Sequence, residues 1–304
     1  MQDNSQWETG ICPICKDPPL RPRQGALYTF QLREVPVLTK DCGGLAPKGL
    51  SIIPCKRCGL FYLSPRLKED AIKMLYEAPE YFKGGTHQGY DDYSEQARTL
   101  EMTFRWFLKR LHSKGLTGGA LLDVGCGPGL FLKEARAYFH RRVGTDLCDE
   151  VAGLAAKNSD VALCGGPLSA RAYGPFDTIT AIGVLEHVYD AVPFIRDCAS
   201  LLRPGGHIII VTPDIMGFWR KIMGKRWPSF KLPEHIAYYQ RDTIKTLAKE
   251  ANMKVKDFFP YHQAFPLGLI LRRLGLAKNN IKPLKDVAIP LPCVMMTAVL
   301  CREA

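Results

Sequence analysis

The sequence predicts an α/β protein with a doubly wound, mostly parallel sheet, preceded by a small cysteine-rich module. In residues 119–304, short apolar stretches alternate with amphipathic ones, and this alternation is typical of a parallel sheet with helices on both faces. Residues 1–65 differ, because they are rich in proline and glycine and hold two Cys-x-x-Cys pairs. Residues 66–118 have apolar side chains at helical spacing and connect the two parts.

Specific segments of the sequence are predicted to form the strands and helices of this alternating pattern. The strand segments are ALLDVG (120–125), RRVGTDL (141–147), VALCG (161–165), FDTITAIGV (176–184) and HIIIVTP (207–213). The helix segments are YSEQARTLEMTFRWFLKRL (93–111), LFLKEARAYF (130–139), DEVAGLAAKN (149–158) and AVPFIRDCASLL (191–202). Parallel sheets bind ligands at the carboxyl ends of their strands, so we expect the functional residues directly after the strand segments.

The composition, 46% hydrophobic and 23% charged residues, is that of a globular protein and excludes a disordered or fibrous chain. No apolar run approaches the ~20 residues of a membrane-spanning helix. The first ten residues, MQDNSQWETG, lack the apolar stretch of a secretory signal. We therefore expect a cytoplasmic protein whose eleven cysteines stay reduced.

Four cysteines form two Cys-x-x-Cys pairs, Cys12 with Cys15 and Cys55 with Cys58. Two such pairs allow four thiolates to bind one tetrahedral ion. A segment this small has too little core to fold stably without a metal. We predict a zinc ribbon that binds a structural zinc ion, with YTFQLREVPVL (28–38) as a strand pair between the two cysteine pairs. A redox role is the alternative, and the lack of a βαβ pattern around either pair disfavours it.

The first strand segment leads into a glycine-rich turn that opens a helix. Its glycines follow the pattern G-x-G-x-G at Gly125, Gly127 and Gly129. A dinucleotide-binding turn has G-x-G-x-x-G, and the sixth position here is Leu130. Asp123 precedes the turn, and Asp146 ends the second strand segment, where an acid can accept both hydroxyls of a ribose. A nucleoside that carries a cationic amine therefore fits this pair of acids better than a dinucleotide does.

These motifs together resemble a class I S-adenosylmethionine (SAM)-dependent methyltransferase. The resemblance covers about residues 119–260 and is carried by DVGCGPG, VGTD, FDTITAIGVLEHVYD and LLRPGGHIIIVTPD. The stretch CPIC…CKRCGLFYLSPR resembles bacterial members with an N-terminal zinc ribbon, many of which modify sugars, surface glycans or secondary metabolites. The resemblance implies a Rossmann-like sheet of seven strands that ends in an antiparallel hairpin. The candidates for that hairpin are KVKDFFPY (254–261) and VMMTAVLCR (294–302).

The resemblance also implies a set of cofactor-binding residues. They are Tyr90, Tyr93, Asp123, Gly125, Cys126, Gly127, Gly129, Asp146, Leu147, Gly183 and Val184. Among them, Asp146 would hold the ribose, Leu147 would contact the adenine, and Gly183 with Val184 would border the sulfonium. The family often places an acid after its third strand to bind the adenine amino group, and CGGPLSARAYG (164–174) contains none.

Two histidines are candidates for the general base of methyl transfer. His187 follows Glu186 directly after the fourth strand segment, and His235 lies in KLPEHIAYY (231–239) after the fifth. A base near the cofactor would take the proton of a hydroxyl nucleophile. We assign His187, His235 and Glu186 to the catalytic site, with structurally hydrogen-bonded histidines as the alternative for each ring.

The last ninety residues carry almost all of the net charge of +11, with 16 lysines and arginines from Ile215 to Ala304 against six acids. This local excess of positive charge favours binding of an anionic partner, and the alternative is a basic surface that only contacts solvent. The segments 220–231 and 265–285 combine cations with apolar side chains, so we consider peripheral contact with the inner face of a membrane. The oligomeric state is not predicted.

The predicted function is methyl transfer from SAM to a small anionic or carbohydrate acceptor. O-methylation of a sugar, nucleotide sugar, glycan end or secondary metabolite is the leading hypothesis, and N- or C-methylation stays open. One alternative is an RNA methyltransferase docked by its zinc ribbon, which is disfavoured because the cations lie outside the ribbon. The other alternative is a cofactor-binding scaffold without turnover, which the intact glycine turn disfavours.

Overall fold

The computed structural model describes residues 6–19, 25–31, 47, 49–77, 93–273 and 287–302. For residues 75–77, 93–95 and 272–273 it describes the backbone alone. None of the helices in these ranges combines the length and the apolar character that crossing a membrane requires.

In these ranges the strands are β1 (Trp7–Glu8), β2 (Tyr28–Phe30), β3 (Leu50–Pro54), β4 (Phe61–Ser64), β5 (Arg66–Leu67), β6 (Ala120–Val124), β7 (Arg141–Asp146), β8 (Val161–Cys164), β9 (Phe176–Ile182), β10 (Leu202–Thr212), β11 (Ala237–Tyr238), β12 (Met253–Pro266) and β13 (Ala288–Arg302). The α-helices are α1 (Glu69–Glu77), α2 (Tyr93–Ser113), α3 (Leu130–Ala135), α4 (Asp149–Ala155), α5 (Ala191–Ser200), α6 (Phe218–Met223), α7 (Arg241–Glu250) and α8 (Leu267–Arg273). Short 3-10 helices span Pro167–Tyr173, Leu185–His187 and Gly224–Arg226.

The main sheet has seven strands in the order β12-β13-β10-β9-β6-β7-β8. Five neighbouring strands, from β10 to β8, are parallel, while β13 is antiparallel to both β10 and β12. The predicted class I sheet and its closing antiparallel hairpin are thereby confirmed. The crossover places the carboxyl ends of β6 and β9 side by side, which is where such sheets bind ligands.

Alternate residues of β6 show how the sheet divides the core, because successive strand side chains point to opposite faces. Leu121 joins the cluster of Phe107 on α2 and Phe131 on α3. Leu122 joins the cluster of Ile195 on α5, to which α7 also contributes. Both leucines are fully buried, so helices cover both faces of the sheet, as the strand–helix alternation predicted.

Helix ends differ from the sequence prediction by a few residues. α3 ends at Ala135 instead of Phe139, and α4 ends at Ala155 instead of Asn158. The segment predicted as helix 191–202 ends at Ser200, because Leu202 begins β10 and pairs with Phe176 of β9. Tertiary pairing has overridden a local helical pattern at this end.

The N-terminal cysteine module is built around the β3–β4 hairpin. Cys55 and Cys58 lie in its turn, where Gly59 donates its amide hydrogen to the carbonyl oxygen of Cys55 at 2.8 Å. The φ angle of Gly59 is +76°, a left-handed value that favours glycine. β2 pairs with β3, whereas the remainder of the predicted 28–38 strand pair lies mostly outside the described residues.

The fourth strand of this small sheet comes from the other end of the chain. β11 pairs antiparallel with β4, giving the order β11-β4-β3-β2. Leu63 also donates to the carbonyl oxygen of Ile236 at 2.9 Å. No local pattern in the sequence predicts this pairing, which joins the cysteine module to the segment that follows β10. The boundaries at residues 65 and 118 stay predictions.

Further contacts join the cysteine module to the main domain. Ala191, at the start of α5, donates its amide hydrogen to the carbonyl oxygen of Pro13 at 3.2 Å. Lys16 forms an ion pair with Asp190 at 2.8 Å. The hydroxyl of Tyr189 donates to the carbonyl oxygen of Leu67 at 2.8 Å. The module therefore lies against the loop that follows β9.

Candidate functional site

The glycine turn after β6 is held against β7 by backbone hydrogen bonds. The amides of Gly125 and Cys126 both donate to the carbonyl oxygen of Thr145, at 2.7 and 3.0 Å. The φ angle of Gly125 is +68°, and a Cβ atom there would lie 2.5 Å from Cγ2 of Val184. Only glycine fits this position, and the turn therefore adjoins the end of β9.

Asp123 lies beneath the turn and is 3% exposed. Its Oδ1 accepts a hydrogen bond from the hydroxyl of Thr180 at 2.6 Å. Burial raises the pKa of Asp123 to about 7, and the nearby charge of Asp146 adds to this effect. A buried carboxylate without a cationic partner is costly, and the ammonium group of a bound amino-acid moiety would supply that partner.

Asp146 connects the second strand to the glycine turn. Its Oδ2 accepts from the amide of Gly127 at 2.9 Å, and its Oδ1 accepts from the amide of Cys148 at 3.1 Å. Burial raises its pKa, against the opposing effect of these hydrogen bonds. Leu147, the next residue, leaves 55% of its surface exposed. An acid fixed by backbone amides beside an exposed apolar side chain fits a ribose and its base.

Two of the predicted cofactor residues, Cys126 and Gly129, lie where the structure is tightly packed. The Sγ of Cys126 points into the core, where a Cβ atom on Gly144 would come within 2.7 Å of it. A Cβ atom on Gly129 would lie 3.1 Å from Cα of Ala155. Cys126 and Gly129 can therefore border a cofactor only through their backbone.

After the end of β9, Val184 lies beside the turn at Gly125, and the predicted position of Gly183 and Val184 at the sulfonium stays a prediction. Gly183 has a φ angle of +68° and donates to the carbonyl oxygen of Val211 at 2.8 Å. Tyr90 lies outside the described residues. Tyr93 begins α2, where the structure describes only its backbone, so the predicted cover over the cofactor stays a prediction.

Glu186, His187 and His235 form a cluster, which we name the acceptor group, and Glu186 follows Gly183 by three residues. One ligand atom from each of these residues lies within 4.8 Å of the others. The imidazole rings of His187 and His235 are perpendicular, with centroids 4.7 Å apart. The sequence predicted these residues individually, and the structure brings them together.

Glu186 is 2% exposed, and its Oε2 accepts a hydrogen bond from the hydroxyl of Thr212 at 2.8 Å. Burial raises its pKa to about 7. A Cβ atom on Gly183 would lie 3.8 Å from Oε1 of Glu186. This oxygen therefore lies near Gly183, which precedes Val184 beside the cofactor turn.

Burial, aided by the positive charge of Lys231, lowers the pKa of His187 to about 3. Burial likewise holds the pKa of His235 well below its ordinary value, with smaller contributions from His187 and Lys231. Both rings are therefore neutral at neutral pH. An imidazole with so low a pKa is a weak proton acceptor, which disfavours the predicted role of either ring as general base.

The sequence did not predict two threonines of the site, whereas Tyr238 was expected to help shape the pocket around His235. Thr180 and Thr212 hold Asp123 and Glu186. Tyr238 is 1% exposed, and its hydroxyl has no hydrogen-bond partner among the described residues. In the sequence, a threonine within a buried strand cannot be told from an ordinary β-branched core residue. The roles of Thr180 and Thr212 become visible only when the structure shows which carboxyl group lies opposite each hydroxyl.

The four predicted zinc ligands form a second cluster in the N-terminal module. The sulfur atoms of Cys12, Cys15, Cys55 and Cys58 all lie within 4.8 Å of one another, with Cys12 and Cys58 3.6 Å apart. A tetrahedral ion with Zn–S bonds of about 2.3 Å places its sulfur ligands about 3.8 Å apart. The cluster therefore fits zinc.

The fold and the turn define a class of protein, an α/β enzyme that binds an amino-acid-bearing nucleoside at the carboxyl end of its first strand. The model of a methyltransferase domain family matches residues 96–257, more than half of the chain. The chain therefore belongs to the methyltransferase domain family, as a class I SAM-dependent methyltransferase.

The relatives of this chain include proteins named ubiquinone biosynthesis O-methyltransferase. The protein from Xanthomonas euvesicatoria is 38% identical over 141 residues, which are 43% of this chain and 58% of the relative. The protein from Cupriavidus pinatubonensis is 33% identical over 138 residues, which are 42% of this chain and 55% of the relative. The chain thus spans little more than half the length of these relatives.

Solved structures with a similar fold include two methyltransferases. Magnesium protoporphyrin IX methyltransferase from Synechocystis PCC 6803, with bound SAH, has a TM-score of 0.50 and 14% identity, over 78% of this chain and 100% of that chain. A SAM-dependent methyltransferase from Leishmania major has the same TM-score and identity, over 76% and 82% of the two chains.

Proposed function

We propose that this protein transfers a methyl group from SAM to a hydroxyl group of a small molecule. The observation that carries the proposal is the adjacency of two sites. The glycine turn, with the buried Asp123 and the half-buried Asp146, adjoins Val184, and Oε1 of Glu186 lies near Gly183. The names of the relatives from Xanthomonas and Cupriavidus support a hydroxyl acceptor.

Bound SAM supplies a methyl carbon that its sulfonium already activates. The protein's task is to hold an oxygen in line with that carbon and close to it. On the cofactor side, Asp123 would pair with the ammonium group, Asp146 would accept the ribose hydroxyls, and Leu147 would cover the adenine. On the other side, the neutral rings of His187 and His235 would orient the acceptor hydroxyl.

The carbohydrate acceptor predicted from the sequence stays a prediction, because the relatives' names favour a hydroxylated small molecule of another kind. Three arms of one experiment separate these acceptors. Methyl-labelled SAM is incubated with a set of phenols, a set of sugars and nucleotide sugars, and an extract divided into RNA, lipid and small polar fractions. Asp146→Ala serves as the blank, and Asp149→Ala, three residues further on, serves as the matched control.

We expect label in the phenols, or in the polar or lipid fraction, that requires Asp146. Label in the sugars would restore the carbohydrate acceptor, and label in RNA would overturn the small-molecule proposal in favour of the ribbon as a docking module. SAM binding without label in any arm would leave only the cofactor-binding scaffold, and failure to bind SAM at all would contradict both the proposed function and the scaffold.

We also propose that the four-cysteine cluster holds a structural zinc ion and that the protein works in the cytoplasm. The hydrogen bond between Cys12 and Cys58 lowers the pKa of Cys12 and raises the pKa of Cys58, and a zinc ion bound at the cluster would hold its cysteines as thiolates. Reduced thiols persist in the cytoplasm. Metal analysis of protein purified without chelators should find one zinc ion per chain, and its absence would contradict the ribbon.

Peripheral contact with an anionic membrane is a further part of the proposal. On α6, Phe218 and Ile222 are 59% and 63% exposed, and Arg220 and Lys221 lie between them. Apolar side chains flanked by cations favour an anionic bilayer surface. Phe218→Ser should reduce cosedimentation with phosphatidylglycerol vesicles severalfold, and Leu154→Ser, at an exposed leucine of α4, should not. Equal binding of both variants would remove this contact.

A further inference from the structure

The acceptor group of Glu186, His187 and His235 has the composition of a metal site. It is separate from the cysteine cluster, and one ligand atom from each of the three residues lies within 4.8 Å of the others. Ligand atoms around a metal with bonds of about 2.1 Å are at most about 4.2 Å apart. Small side-chain rotations would bring the ligand atoms from within 4.8 Å of one another to the distances that a bound metal requires.

Backbone hydrogen bonds fix the tautomer of both imidazoles. Nδ1 of His187 lies 3.1 Å from the carbonyl oxygen of Glu234, and Nδ1 of His235 lies 2.7 Å from that of Ser229. A carbonyl oxygen only accepts, so each Nδ1 carries the hydrogen and each neutral ring has its lone pair on Nε2. A ring that donates Nδ1–H to a carbonyl is the usual arrangement of a metal-binding histidine.

The carboxylate is oriented in the same way. Thr212 holds Oε2 of Glu186 at 2.8 Å, and Oε1 lies near Gly183. The amide of Ile236 donates to the carbonyl oxygen of Glu186 at 3.0 Å. This bond fixes the segment that carries His235 against the one that carries Glu186 and His187.

A second observation points to a ligand beside this group. The hydroxyl of Tyr238 is buried and has no hydrogen-bond partner among the described residues, and its ring lies 6.3 Å from that of His235. A buried hydroxyl without a partner is costly. A water molecule or an acceptor oxygen held by the three residues would supply that partner.

Resting on the proposed function, we propose that Glu186, His187 and His235 bind one divalent transition-metal cation, which takes the acceptor's hydroxyl oxygen as a further ligand. Two imidazoles and one carboxylate suit Zn²⁺, Fe²⁺ or Mn²⁺ better than Mg²⁺ or Ca²⁺. Oε1 of Glu186 lies near Gly183, and the neighbouring Val184 contacts the cofactor turn at Gly125, so an oxygen bound at this site would lie close to the cofactor.

The cation would act as a Lewis acid and keep its own charge throughout. It draws electron density from the hydroxyl oxygen, whose proton is released to solvent. A lone pair of that oxygen forms the bond to the methyl carbon, the bond from this carbon to sulfur breaks, and the electron pair of that bond stays on sulfur. No oxidant or reductant takes part.

The test is a titration with Mn²⁺, followed by the loss of the electron paramagnetic resonance signal of the free ion. Mn²⁺ is the weakest competitor for thiolates among these metals, so zinc in the cysteine cluster stays in place, and zinc analysis checks this. We expect one Mn²⁺ per chain in the absence of SAM and acceptor. Glu186→Gln and His235→Ala should each raise its Kd at least about tenfold.

Two further variants complete the design. His112→Ala, at an exposed histidine on α2, is the matched control and should bind Mn²⁺ as the unchanged protein does. Lys231→Met removes a positive charge that acts on all three residues, and should lower the Kd severalfold. SAM affinity and a thermal melt verify that each variant is folded.

Failure of the unchanged protein to bind Mn²⁺ would overturn the proposal. Equal binding by Glu186→Gln and His235→Ala would do the same. Because the titration needs neither SAM nor an acceptor, its result is independent of the labelled-methyl assay. Methyl transfer by a protein that binds no metal would leave the proposed function standing and remove only the cation.

Discussion

The cofactor side and the acceptor side of the site are built in different ways. On the cofactor side, one continuous stretch forms the turn, and the next strand holds it through the bond from Gly127 to Asp146. On the acceptor side, His187 and Glu234 meet across 47 residues of sequence, and β11, which follows directly, pairs with β4 of the cysteine module. The first cluster joins adjacent elements of the main sheet, whereas the second adjoins a strand that pairs with the N-terminal module.

The most severe test of this comparison is loss of the proposed zinc ion. Cys58→Ser should abolish zinc binding and lower turnover by at least about 1,000-fold, because zinc binding energy is folding energy for so small a module. The Kd for SAM should change by less than about threefold, since the turn needs no contact from β4. Metal analysis, labelled-methyl turnover and calorimetric SAM titration measure the three quantities.

Cys293→Ser, at an exposed cysteine of β13, is the control for the zinc experiment and should behave as the unchanged protein. If Cys58→Ser weakened SAM binding as strongly as turnover, the two sides would not be separable, and the comparison would fail.

The cofactor side should respond in the opposite way. Asp146→Ala should weaken SAM binding about 100-fold, because two hydrogen bonds to a charged group contribute about 1.5 kcal/mol each. The bond that holds Gly127 is lost as well. Calorimetric titration measures the Kd, with Asp149→Ala as the control three residues away. Unchanged affinity would exclude Asp146 as the ribose ligand.

His235→Ala is the matched test of the acceptor side. Turnover should fall about 30-fold, within the range for loss of an oriented ligand or its support, while the Kd for SAM stays the same. Steady-state turnover at saturating SAM and a separate SAM titration distinguish the two effects. Unchanged turnover would show that His235 has no role in methyl transfer.

The difference between contacts within adjacent segments and contacts between distant segments also explains which parts of the molecule the sequence could predict. The five parallel strands and the glycine turn were predictable because a buried strand or a turn is encoded in adjacent residues, such as ALLDV before Gly125. β11 was not, because Ala237–Tyr238 is a two-residue strand whose partner lies near the other end of the chain. The roles of Thr180 and Thr212 depend on register between strands, which no local pattern carries.

The pH dependence of SAM binding sharpens the account of the cofactor side. The pKa of Asp123 is raised to about 7, so below pH 7 the protein must release a proton before the carboxylate can pair with an ammonium group. The Kd for SAM should therefore rise about tenfold for each pH unit below 7. Titrations between pH 5.5 and 7.5 would measure this slope, below the range of about 7.7–8.0 in which an α-amino group loses its own charge. Asp123→Asn should flatten it, and a slope that persists would assign the titration to another group.

The smallest expected effect concerns the adenine, for which the loop after β8 offers no acid. Leu147 is 55% exposed, and an adenine stacked on it would bury part of that surface. Burial of about 40 Å² at about 25 cal/mol per Å² contributes about 1 kcal/mol, so Leu147→Ala should raise the Kd for SAM about fivefold. Leu154→Ala, at the exposed leucine of α4, is the control. An unchanged Kd would leave the adenine to backbone groups alone, and it would show that the cofactor side depends on its two acids and its turn without an apolar contact.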